Sequence, residues 1–334
     1  MEEKIKIYLP ENIYSILLKD MELFEFFKKD HSLNKNEFYN TLIMNYYDNY
    51  NKNTSDTYEY IKKVLDNLNI DQIDSSDATY QIVNFIQKQS LNLNNKKLDV
   101  TISIKPTKQS SSTIDYIQNF LLNGSTLSNW FRNLFTSYTM LPQDKRERII
   151  FKQNFEKIEE ALEKNRKIYF VNANNKTIKH IMSPYAISSS KEELFNYLIG
   201  EEYDKPYSYR ITRIKNITIL NEECSFDDNL ITLFNKMIQR GPQFAYSIDQ
   251  KEDIIVRINE RGKMMYDKIY LHRPIYTKIE NDLYYFDCSY AQAYQYFIRL
   301  GKNAVVISPK SLRDDIESYY QTSRKAYMKE RNIQ

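Results

Sequence analysis

Glycine is scarce in this chain. Its 334 residues include five (Gly124, Gly200, Gly241, Gly262 and Gly301), against the usual share of about 7%. No G-x-G-x-x-G turn or phosphate-cradling loop can be assembled from them. Two cysteines, Cys224 and Cys288, stand far apart, which excludes a disulfide framework and Cys-x-x-Cys metal spacing and suits buried thiols in a reducing compartment. His31, His180 and His272 occur singly, outside any H-E-x-x-H pattern. The expectation is therefore a protein that is not an enzyme, with no cofactor and no metal. No basic-then-apolar leader is evident, and no apolar run approaches the roughly 18 residues of a membrane span, so a cytoplasmic location is expected.

Arginine is absent from the first 131 residues, and all fourteen begin at Arg132. Guanidinium groups, which suit phosphates and base stacking, are thus confined to the later chain. Residues 1–70 carry nine lysines against twelve acids, whereas residues 100–150 carry six basic groups against three acids. The net charge of +3 hides this asymmetry. Aromatic residues are plentiful, with 29 Tyr and 17 Phe to fill more than one core.

Hydrophobic periodicity divides the chain. Lys4 to Pro10 alternates with period two, as a half-buried strand does, and a helix follows through Ile13, Leu17 and Phe24. A second helix runs through Phe38, Leu42 and Tyr46, with Asn34 and Glu37 spaced as a capping box. The plan returns about 95 residues later, with a strand over 101–106, a helix through Ile114 and Leu121, a break at Asn123-Gly124, and a helix from Thr126. Between the two, helices are expected over 56–69 and 77–90, with loops at Ser75-Ser76 and over 92–97. This duplicated strand–helix–helix unit resembles the ribbon-helix-helix fold. The resemblance implies a two-stranded ribbon whose outward side chains enter the DNA major groove: Lys4, Lys6 and Tyr8 from one unit, Thr101, Ser103 and Lys105 from the other. Pairing within one chain or between two chains is left open.

A helical connector is expected over 143–165. Strands are then expected over 168–172, 180–186, 195–200 and 207–220, and a helix over 228–239 stops at Arg240-Gly241-Pro242. Residues 253–327 read as strand–helix–strand–strand–helix–strand–helix, the order of a ferredoxin-like domain.

Within the strand-rich part stand Pro184-Tyr185-Ala186-Ile187, Asn196-Tyr197-Leu198 and Ser208-Tyr209-Arg210-Ile211-Thr212-Arg213-Ile214. This series resembles the WYL domain, a small β-barrel sensor of bacterial regulators, with Asn196 where the family has tryptophan. Gly301 to Arg313, with its Val305-Val306-Ile307-Ser308-Pro309 core, resembles the C-terminal extension of such proteins. Arg240-Gly241-Pro242-Gln243-Phe244 and His272-Arg273-Pro274-Ile275 resemble WYL accessory proteins of RNA-targeting CRISPR effectors.

The expected fold class is thus α+β and multidomain. A ribbon-helix-helix-like, helical region covers 1–140 and a connector 141–166. An SH3/Sm-like WYL barrel covers 167–222, a helical linker 223–252, and a ferredoxin-like extension 253–334. The resemblance implies a nucleic-acid ligand held by Arg210, Arg213, Tyr197 and Asn196, with Lys179 and His180 as walls. Two arginines three apart on a regular strand face opposite sides, so one pocket needs the strand to bulge or end between them. The implied function is a homodimeric transcription regulator that binds duplex DNA through the ribbon. The alternative is a single-stranded RNA-binding accessory protein of a CRISPR effector.

Overall fold

The computed structural model describes residues 4–68, 78–79, 81–83, 85–86, 97–122, 125–173, 175–248 and 252–331. The loop at Ser75-Ser76, the break at Asn123-Gly124 and much of the expected helix 77–90 and loop 92–97 lie outside the described residues. The chain is a mixed α+β protein in two compact units, residues 1–152 and 153–334. Among the described residues no helix is long and apolar enough to cross a membrane.

In the first unit β1 (Ile5–Leu9) leads into α1 (Glu11–Leu23) and α2 (Lys35–Asp66), and β2 (Val100–Ile104) leads into α3 (Ser111–Tyr116). A π-helical turn (Ile117–Leu121), α4 (Leu127–Met140) and α5 (Gln143–Ile150) follow. β1 and β2 pair antiparallel within the one chain, Lys6 opposite Ser103 and Tyr8 opposite Thr101. Alternation does the rest: Ile7, Leu9, Ile102 and Ile104 point inward and are buried with Leu17, Phe38, Leu42, Phe131 and Phe135.

Three expectations for this unit need correction. The helix of Phe38 and the helix expected over 56–69 are one 32-residue helix, because Tyr50 is buried edge-on against Trp130 at 5.1 Å and carries α2 through an asparagine-rich stretch. Asn34 makes no cap to the backbone; its amide donates instead to the Glu37 carboxylate. The connector over 143–165 is two helices, α5 and α6 (Lys152–Glu163), broken at Phe151, whose ring is buried against Phe24 at 5.8 Å.

Beneath the helices lies a polar knot that the sequence did not suggest. Arg146 donates to Asp20 from Nε (2.7 Å) and Nη2 (2.9 Å), and the Tyr138 hydroxyl donates to the same carboxylate at 2.9 Å. Asp20 is fully buried, so these partners replace the water its charge would otherwise hold.

The second unit begins in α6 and contains two sheets. The first is five-stranded, ordered β6-β5-β4-β3-β7, from β3 (Arg166–Asn172), β4 (Asn175–Ser189), β5 (Asn196–Glu202), β6 (Lys205–Arg210) and β7 (Ile214–Glu223). A strand expected over 207–220 is in fact two. A 3-10 turn, Ile211–Arg213, buries Ile211 and Thr212 side by side, which a pleated strand cannot do, and sends the chain to the opposite edge of the sheet. α7 (Asp228–Arg240) lays Leu230, Phe234 and Met237 against Ile199 of β5. It ends at Gly241, whose φ of 147° falls where side chains other than hydrogen are strained.

The second sheet is ordered β11-β8-β10-β9, from β8 (Ile254–Ile258), β9 (Tyr276–Glu280), β10 (Leu283–Phe286) and β11 (Ala304–Ser308), all antiparallel. α8 (Glu260–Lys268) joins β8 to β9, α9 (Tyr290–Phe297) joins β10 to β11, and α10 (Lys310–Arg331) follows. Their core includes Val256, Phe286, Tyr296, Phe297 and Leu312. Cys224 and Cys288 are both buried free thiols.

Burial raises the phenols of Tyr39, Tyr138, Tyr209 and Tyr246 above their ordinary value of 10.0. The unfolded chain ionises these groups first as pH rises, so their stabilising share is complete below about pH 10 and lost above it. The melting temperature is expected to stay level through neutral pH and fall steeply beyond about pH 10. A thermal-melt series in graded alkaline buffers checks this.

Candidate nucleic-acid interface

Six polar side chains share the outer face of the ribbon. Lys4, Lys6, Tyr8, Thr101, Ser103 and Lys105 are all exposed. The backbone beneath is held at both ends. The Asn36 side chain donates to Lys105 O (3.1 Å) and accepts from Lys105 N (2.8 Å), and Arg132 Nε donates to Tyr8 O at 2.6 Å. The outer face is therefore an anchored strand pair carrying exposed cationic and hydroxyl groups.

The second cluster gathers where β6 ends. Tyr197 and Arg210 are directly opposite across β5 and β6, which puts their side chains on one face. The Arg210 guanidinium lies 3.1 Å from the centroid of the Phe195 ring, two residues before Tyr197 and on the same face. Arg213 closes the 3-10 turn, half-buried, and its carbonyl accepts from Ala173 N (2.8 Å) at the β3–β4 hairpin. Asn154 of α6 holds the turn by donating to Ile214 O at 2.8 Å. The strand does end between the two arginines, the condition under which both can face one ligand.

The remaining sequence candidates are placed differently. Asn196 is 2% exposed and points to the other face, where its carbonyl accepts from Ser189 Oγ at 2.7 Å. His180 stacks on Phe170 with centroids 5.1 Å apart. Its Nδ1 lies 3.0 Å from Glu202 Oε1 and 3.1 Å from the Tyr209 hydroxyl, which itself donates to Glu202. Burial, then the Glu202 carboxylate, pushes the Tyr209 phenol up. This is an interior cluster on the face of β6 opposite Arg210 rather than an open wall. Lys179 is exposed on β4. Tyr197 is only 7% exposed, and its hydroxyl donates to Glu193.

Sequence reasoning missed Phe195 and Glu193. Glu193 Oε1 also lies 3.0 Å from His272 Nε2, and the neighbouring Glu192 accepts from His272 N at 2.9 Å. Two adjacent acids before a strand carry no signal of such ties. Arg257, Arg273 and Arg299 each have local partners. Arg257 pairs with Asp282 at 3.0 Å, Arg273 donates to Tyr266 O and Asp267 O, and Arg299 donates to Leu271 O.

The fold has a solved counterpart. It is similar to the crystal structure of a CRISPR Cas-related protein, with a TM-score of 0.69 and 23% sequence identity over 99% of this chain and 95% of that one. A proteasome accessory factor B/C (PafBC) of Arthrobacter aurescens aligns at 10% identity over 98% of this chain and 50% of that chain, with a TM-score of 0.25, too low to bear on the fold. No family model and no curated protein matches the sequence.

Proposed function

We propose that this chain is a non-enzymatic nucleic-acid-binding regulator. Duplex DNA lies on the ribbon, and a single-stranded nucleic-acid ligand meets Arg210, Arg213 and Tyr197 at the end of β6. The observation that carries the reading is the ribbon: two strands from sequence-distant units pair within one chain and turn Lys4, Lys6, Tyr8, Thr101, Ser103 and Lys105 outward together. A ribbon of this form fits the major groove, and its three lysines suit phosphates. The five-stranded sheet followed by a strand order of 4-1-3-2 supports the reading of a WYL-like barrel with a ferredoxin-like extension.

A second reading is favoured by the CRISPR Cas-related neighbour, which matches nearly the whole chain. In it the β6 end is the main surface, single-stranded RNA is the ligand, and the chain is an accessory to a CRISPR effector. Binding of fluorescent duplex DNA, single-stranded DNA and single-stranded RNA separates the two. Duplex binding that depends on the ribbon lysines supports the first reading, and RNA binding without duplex binding supports the second.

Homodimer formation belongs to either reading. The ribbon is complete within one chain, so strand pairing there no longer requires a partner. The edge strand β9, exposed along its whole length, offers unpaired backbone for a second copy. Light scattering at micromolar concentration is expected to give twice the monomer mass; a monomer counts against the dimer.

A further inference from the structure

The second unit also holds a polar cleft of about 300 Å³, lined by Glu192, Gln239, Arg240, Arg273, Asp287 and Gln292. Ile275 supplies an apolar wall. These residues come from the turn before β5, the end of α7, the segment before β9, the end of β10 and α9. None belongs to the interface described above.

The cleft is built rather than incidental. Gln292 is 6% exposed, and its amide is oriented by a donation to His272 O at 3.4 Å. Glu192 is held through His272 N. The two guanidinium groups are only loosely engaged: Arg240 is 3.3 Å from Asp287, and Arg273 reaches two carbonyls at 3.3 Å each while lying 5.3 Å over the Tyr266 ring. Contacts of that length are exchanged at little cost for a phosphate, which a guanidinium fork can bind through two hydrogen bonds.

Carboxylates beside carboxamides read the edge of a heterocycle. A carboxylate accepts but cannot donate, so Glu192 selects a base with adjacent N–H donors, as guanine has at N1 and N2, while Asp287 is engaged by Arg240 at 3.3 Å and Lys236 at 3.4 Å. The volume is at the lower bound of small-molecule clefts, the size of one nucleotide rather than two. We propose that this cleft binds a single guanine nucleotide, phosphate toward Arg240 and Arg273 and base edge toward Glu192 and Gln292. The proposal rests on the nucleic-acid-binding reading and adds a second site to it. The nucleotide is either free or one guanosine of a bound strand.

Calorimetry on the full chain with GMP and AMP distinguishes these sources, together with anisotropy on an all-adenosine RNA and the same RNA with one guanosine. A free-nucleotide site predicts GMP binding at least about tenfold tighter than AMP, a difference of about 1.4 kcal/mol, weakened by Arg240→Ala. A strand site predicts tighter binding of the guanosine-containing RNA, a preference removed by Glu192→Gln, which keeps an acceptor for His272 N. Melting temperatures of both variants report their folding. Arg213→Ala serves as the control: it leaves GMP binding intact, and if it also leaves RNA binding intact, the β6-end reading fails while the cleft stands. If neither GMP nor guanosine in RNA is preferred by the wild-type protein, or if both variants keep the preference while folded, the proposal is overturned.

Discussion

Arg213→Ala is expected to weaken single-stranded nucleic-acid binding by roughly 10- to 150-fold. The basis is the loss of one charge-assisted contact, on the order of 1.5–3 kcal/mol. In the proposed reading Arg213 takes this role. It stands half-buried in a turn whose backbone is held by Asn154 from one side and by the β3–β4 hairpin from the other, so the main chain that carries it is fixed before ligand arrives. Pre-positioning of this kind reduces the ordering cost of binding. Arg213→Lys is expected to recover only part of the affinity, because an ammonium cannot present two parallel donors. A residue with a purely structural task behaves otherwise: its loss lowers the melting temperature and leaves affinity unchanged. Anisotropy and thermal melting on the same two variants separate these outcomes.

The second large effect concerns the ribbon. Changing Lys4, Lys6 and Lys105 together to Ala removes up to three phosphate contacts. Each contributes about 0.9 to the slope of log affinity against log salt. The three together account for a slope of about 2.7, so between about 50 and 200 mM salt the wild-type protein should lose roughly 40-fold more affinity than the variant. The fold is expected to survive, because these side chains are exposed and the ribbon is held by its inner face, Ile7, Leu9, Ile102 and Ile104, and by Asn36 and Arg132. A folded triple variant with unchanged duplex affinity and unchanged salt slope removes DNA reading from the ribbon.

Much of this architecture was legible in the sequence because burial imposes a period. The alternation of Lys4 to Leu9 and of Thr101 to Lys105 marked both ribbon strands and the side each residue faces. The strand and helix order after residue 253 was equally clear. What escaped were features decided by distant contacts. The asparagines around residues 49–53 argue for a helix end by propensity alone, a matter of tenths of a kcal/mol per residue, and the buried contact of Tyr50 with Trp130 outweighs it. The break at Phe151 had a faint signal, since Ile149 and Phe155 are six residues apart and out of helical step. Asp20 and Arg146 are 126 positions apart, and nothing in either neighbourhood announces their pairing. At the site, the cross-strand match of Tyr197 with Arg210 follows from register, which the motif suggested but could not fix. Phe195 and Glu193, which hold the guanidinium and the phenol, became visible only through the fold.

The central claim is that this chain binds nucleic acid through cationic groups carried on an anchored backbone. Its most direct test is the affinity of the purified full chain for duplex DNA and for single-stranded RNA at about 50 and 200 mM salt. The account predicts binding of at least one of them, weakening as salt rises, with the ribbon or the β6-end variant removing the response. Failure of both to bind at about 100 µM protein and low salt, where even sequence-independent binders associate, would contradict it.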